Sequence, residues 1–165
     1  MTIRDLLVHI DDRKGNATRL AAAIQLAKKF DAHLVGLYVM PPLSVPGYVD
    51  VQLPVDLIQL QEERLLATAQ QAEEAFKEAT QSSDTVSEWR CQKGNAAEIV
   101  ADHAHYSDLV ILGQGEDASS VAGAIDELTD EVILAAGRPV LVIPYNYQGS
   151  DIGTKVIVGW DRGQR

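Results

Sequence analysis

Five short apolar runs rich in β-branched residues alternate with four stretches of helical periodicity, and this alternation constrains the chain more than any other feature. The runs are residues 3–10 (IRDLLVHI), 33–40 (HLVGLYVM), 85–92 (TVSEWRCQ), 108–113 (DLVILG) and 138–144 (RPVLVIP). Parallel strands need crossover connections, and helical crossovers cover both faces of the sheet they join. The pattern therefore predicts an α/β fold, an open, doubly wound, mostly parallel sheet of five strands. Its expected strand order is 3-2-1-4-5.

The intervening segments carry helix signals. From Asn16, the residues Leu20, Ala23, Ile24 and Ala27 share one face at 3.6-residue spacing. A longer helix is expected from Val55 to about Thr80, with Ile58, Leu65, Ala69, Ala72 and Phe76 on one stripe. Asn95 followed by Glu98 reads as a capping-box start for a helix through Tyr106. A last helix is expected from about Asp126 to Ala136, ending at Gly137. Prolines at 41, 42, 46 and 54 mark residues 41–54 as a loop. The alternation in 85–92 suits an edge strand, one face of which is less buried.

With 165 residues, 46% of them apolar, the chain has enough material for one well-buried domain. No apolar run approaches the roughly 20 residues that cross a bilayer, and MTIRDLLVHIDD lacks the apolar core of a signal peptide. A cytoplasmic location is expected, with no membrane contact. A formal charge of -10, from 24 acids against 14 bases, repels phosphate backbones, so nucleic acid is not an expected partner. The single cysteine, Cys91, excludes an internal disulfide or a thiolate-rich metal site.

In the expected order the winding reverses between the first and fourth strands, and a crevice forms beyond their C-terminal ends. Asp11, Asp12 and the loop beginning at Gly113 would lie there. Asp11 and Asp12 are also similar to the acidic pair of response-regulator receiver domains, but Gln92-Lys93-Gly94 and Pro144-Tyr145 stand where such a domain needs its phosphoacceptor Asp and its Lys. His9 is expected as a satisfied core residue. His103 and His105, two apart on a helix, point about 200° from each other and cannot share a metal. Cys91 is expected as a half-buried structural thiol, with an oxidation sensor as the alternative if Arg90 and Lys93 lower its pKa. Trp89 is expected to pack. Nothing assembles a nucleophile with a base, so no catalytic residue and no enzyme activity are expected.

Shifting the start of the chain by 150 positions lays Leu6, Leu7, Val8, Ile10 and Asp11 over Val156, Ile157, Val158, Trp160 and Asp161. Three segments follow: a domain at 1–145, a linker at 146–154, and residues 155–165 as the first strand of a truncated second repeat.

The stretches LLVHIDD, GNAAEIV, DLVILGQG and EVILAAGRPVLVIP, in that order and spacing, resemble the universal stress protein family, with KVIVGWD similar to the start of a second repeat in its tandem members. The resemblance covers essentially the whole chain. It implies a Rossmann-like, adenine nucleotide alpha hydrolase-like fold and, in many members, ATP held by an acid after the first strand and the pattern G-x-x-G-nine residues-G-[ST]. Asp11 and Gly113 match, whereas Glu116 stands at the second glycine, Asp126 and Glu127 replace the final pair, and Gly115 is out of step. Glu116, Asp117, Asp126, Glu127, Asp130 and Glu131 fill the segment without a Lys or Arg. Like charges within about 4 Å repel by roughly 1 to 4 kcal/mol per pair. The nucleotide site is therefore expected to be degenerate, with no cofactor and no metal; ATP with Mg²⁺ gathered by Asp11, Asp12 and Glu116 is the disfavoured alternative. The resemblance further implies a homodimer through the fifth strand, at Val140, Leu141, Val142 and Ile143, and a protein partner of unknown identity.

Overall fold

The computed structural model describes residues 2–13, 15–42, 55–114, 127–144, 146–149 and 152–159. Nine elements follow in chain order: β1 (Asp5–Ile10), α1 (Asn16–Phe30), β2 (His33–Met40), α2 (Val55–Ser82), β3 (Ser87–Lys93), α3 (Ala96–Ala104), β4 (Leu109–Gly113), α4 (Glu127–Ala135) and β5 (Val140–Ile143). The strands form one sheet in the order β3-β2-β1-β4-β5, and every pairing is parallel. The expected order is the observed one.

Composition explains the positions. β1 and β2 are apolar on both faces because helices cover both, and all of Leu6 to Ile10 and Leu34 to Val39 are buried. β3 alternates and stays partly exposed along its length, as an edge strand does. Side chains of successive residues point to opposite faces, so the sheet separates two clusters. Leu6, Val8, Ile10, Leu34 and Ile111 meet Leu20, Ala23, Ala27 and Phe76 from α1 and α2. On the other face Leu7, Val35, Leu37, Val110 and Leu112 meet Val100, Ala104 and Val132 from α3 and α4.

One close approach sets the seat of α2. Gly36 lies on β2 opposite Val8 of β1 and Trp89 of β3, and a Cβ there would stand 2.5 Å from the Phe76 ring. The missing side chain lets Phe76 reach the sheet, where its ring centroid lies 5.4 Å from that of Trp89. Trp89 also stacks on Tyr38 at 6.2 Å, so its role is packing.

The helix starts and stops have local causes. Asn95 Oδ1 accepts the N–H groups of Ala97 and Glu98 at 2.8 and 3.2 Å, capping α3 as its position suggests. That helix closes at Ala104 rather than Tyr106, because Tyr106 and Ser107 donate to the carbonyls of His103 and Ala104 in a tighter final turn. At the start of β1, Asp108 Oδ2 accepts the N–H of Arg4 and of Asp5, fastening the sheet's lower end.

Beyond β5 the chain is tied back to the core at residues 147 and 152. Tyr147 and Ile152 pack against the α1 face of the core, and Lys29 Nζ donates to the Ile152 carbonyl at 3.0 Å. Of residues 155–165, expected as the first strand of a second repeat, the described residues 156–159 are not paired with the sheet. Val156, Ile157 and Val158 are instead 76%, 98% and 79% exposed. Apolar β-branched residues make a strand only where a neighbouring strand offers its N–H and C=O groups.

Candidate functional site

The chain winds from β1 outward through β2 to β3, then returns past β1 to β4 and β5, so the winding reverses between β1 and β4. Ligand crevices of open α/β sheets lie outside the strand ends at such a point. Asp11 follows β1 directly and Gly113 closes β4, so two of the residues expected there converge. Asp12 is exposed beside them. Glu127 begins the backbone of α4, while its side chain, together with Gly115, Glu116, Asp117 and Asp126, lies outside the described residues.

A residue that sequence reasoning did not single out joins Asp11 to Gly113. Arg19, in the first turn of α1, is 3% exposed. Its Nη2 donates to Asp11 Oδ1 at 2.7 Å and to Asn16 Oδ1 at 3.0 Å. Its Nη1 lies over Gly113 so closely that a Cβ on that residue would overlap it. The buried Nε has no acceptor among the described residues. Asp11 Oδ1 also accepts the Arg13 N–H at 3.2 Å. The signal in the sequence was spacing: Arg19, Ala23 and Ala27 are four apart and so share the face that α1 turns to the sheet.

His9 is buried in β1, and its pKa is pushed down to about 4, first by burial and then by the Arg19 charge, with Asp11 opposing. It is neutral at physiological pH and fits the core residue its position implied. Thr129 Oγ1 of α4 donates to the Gly113 carbonyl at 3.3 Å, holding that helix to the end of β4. A cleft of about 460 Å³ opens at the same end of the sheet, between Val39, Pro41, Gly94, Ala97 and Leu128. A larger groove of about 630 Å³ lies at the opposite end, lined by Arg4, Lys28, Asp31, His33 and Asp84. It faces the N-terminal ends of the strands, away from the switch point.

The remaining candidates do not gather. Cys91 is exposed, not half-buried as expected: it shares the α2 face of β3 with Trp89 but borders an open cleft lined by Ala69, Gln70 and Glu73. Partial desolvation and then Glu73 push its thiol above the ordinary value. Arg90 is committed to Glu88 at 2.8 and 3.0 Å, and Lys93 to Glu62 at 3.3 Å, so neither activates the thiolate. His103 Nδ1 faces Arg90 Nη1 at 3.2 Å, and burial, then the guanidinium, lowers its pKa. Among the described residues no three potential metal ligands cluster, and no helix is long and apolar enough to cross a membrane.

A five-stranded parallel sheet in this order, with helices on both faces and its winding reversed between β1 and β4, is a Rossmann-like, adenine nucleotide alpha hydrolase-like fold. Residues 2–144 match the model of the Universal stress protein family, and the chain belongs to that family. No curated protein sequence matches it. The solved structures it resembles include the universal stress protein UspA from Lactobacillus plantarum, at 23% identity and a TM-score of 0.69, covering 87% of this chain and 99% of that one. A universal stress protein in complex with cAMP matches at 18% identity and 0.60, covering 88% and 99%. The universal stress protein from Archaeoglobus fulgidus in complex with dAMP matches at 15% and 0.56, covering 86% and 98%.

Proposed function

We propose that this chain is a non-catalytic, cytoplasmic binding and regulatory protein of the stress response whose crevice has lost ATP binding. The observation that carries the reading is the state of Asp11: the acid that a nucleotide would meet is held by Arg19, whose guanidinium also covers Gly113. The acids at 116, 117, 126 and 127 support it, since they add repulsion to a triphosphate. Function then lies in association, through a homodimer joined at β5 and a further protein partner. The match of 155–161 to 5–11 at a shift of 150 supports a tandem-type member.

The second reading is an ATP module in which Mg²⁺ bridges acids to phosphate. The cAMP and dAMP complexes of similarly folded proteins favour it. Calorimetric titration with ATP and Mg²⁺, at low and moderate salt, separates the two. The proposed function expects no binding tighter than about 100 μM, near 5.5 kcal/mol. Tighter binding in both salts would replace it with the nucleotide module.

A further inference from the structure

The fold alone does not explain why an arginine is buried at the switch point. A guanidinium has five donors in a planar fork, and Arg19 uses Nη2 on Asp11 and Asn16 while Nε finds no acceptor among the described residues. A buried donor without a partner calls for an explanation beyond stability. A Cβ at 113 would overlap Nη1, so the guanidinium holds this position beside the β4 backbone because that residue is glycine. The arginine and the glycine therefore form one fitted pair across the crevice, with Asp11 as its counter-ion.

We infer that Arg19 is the specificity-determining residue of this crevice: its guanidinium stands in for a ligand at Asp11 and over Gly113, and so bars adenine nucleotides. The inference rests on the proposed function and adds the residue responsible. The guanidinium fills the space beside Gly113 that a ligand at the strand ends would otherwise take. Its charge also neutralises Asp11 and engages Oδ1, which weakens that carboxylate as an acceptor for a ligand hydroxyl. Shortening Arg19 removes both obstacles. The sequence from 113 to 131 carries six acids and no Lys or Arg, a charge that disfavours a triphosphate, so a monophosphate is the nucleotide to test first.

The test is calorimetric titration of the native chain, Arg19→Ala and Arg19→Met with AMP and with ATP plus Mg²⁺, each variant checked by circular dichroism and thermal melting. Arg19→Met keeps an apolar stem in the slot and serves if the alanine variant does not fold. The expected result is AMP affinity at least ten-fold above the native chain for Arg19→Ala and at least three-fold for Arg19→Met. A folded variant that binds AMP no better than the native chain overturns the inference. In the native protein, AMP binding that leaves the Arg19 Nε resonance unmoved in nitrogen-15 spectra overturns it without any variant. Native binding of ATP alone would overturn the proposed function, and the variant-to-native ratio would still decide the role of Arg19.

Discussion

Arg19 Nη2 and Asp11 Oδ1 are 2.7 Å apart, with the arginine side chain 3% exposed and the aspartate 15% exposed. The pair joins α1 to the end of β1 at the reversal of the sheet. Removing two charges from water is costly, and a buried pair recovers that cost only through close geometry. Deleting one partner is therefore worse than deleting both.

Asp11→Asn leaves the Arg19 charge buried without its carboxylate and is expected to cost about 3 kcal/mol, the low end for a broken buried pair because position 11 keeps some access to water. Adding Arg19→Met to that variant should restore part of the loss. Urea denaturation of the two single variants and the double variant gives the coupling. Strictly additive losses would mean the pair holds nothing together.

Gly36→Ala places a methyl group 2.5 Å from the Phe76 ring. The ring has the sheet on one side and α2 on the other, so it cannot yield freely, and overpacking of this kind costs about 1 to 3 kcal/mol. Phe76→Ala, at a residue 1% exposed, should cost about 3 to 5 kcal/mol by leaving a cavity. In the double variant the Gly36→Ala penalty should vanish. Chemical denaturation measures all three.

His9 gives the fold a pH dependence whose sign is fixed. The imidazole titrates at 6.5 in the unfolded chain and at about 4 in the folded one, so between those values the unfolded state binds more protons. Its contribution is intact above pH 6.5 and is lost as pH falls toward 4, for a total of about 3 kcal/mol. His9→Leu should flatten the stability profile in that window. Melting temperatures from pH 7 to 4 read the difference, and parallel curves would remove His9 as the cause.

Among the described residues β5 pairs only with β4, and the edge it presents is apolar, with Leu134 of α4 87% exposed. If the proposed homodimer forms there, Leu141→Lys should yield monomers or insoluble protein. Light scattering that returns an unchanged dimer mass for a soluble variant would place the interface elsewhere.

The sheet was legible in the residues because its physics is local to each strand. Unbroken apolar runs announced strands covered on both faces, and the alternation of 85–92 announced an edge. Asp11 and Gly113 were legible too, since a switch point follows from strand order. Arg19 was not, because an arginine in a first helical turn ordinarily snorkels to water, and its burial depends on a glycine that folding brings to it from another strand. The exposure of Cys91 was illegible for a related reason: it shares the covered face of β3 with Trp89, and how far α2 shields that face is set by helix placement, which the strand's own residues do not encode. The run at 156–158 has strand composition, yet composition cannot supply the neighbour a strand requires.

The length of α2 has a consequence for access. Lys93, the last residue of β3, meets Glu62, so the helix residues 55–61 rise past the end of the sheet by about 10 Å at 1.5 Å per residue. Leu57 and Leu60 are exposed on that stretch. The strand ends are thus the floor of a recess with one tall wall, and a molecule approaching Asp11 cannot slide in over β3. Among the described residues, the open approach is from above or from the β4 and β5 side.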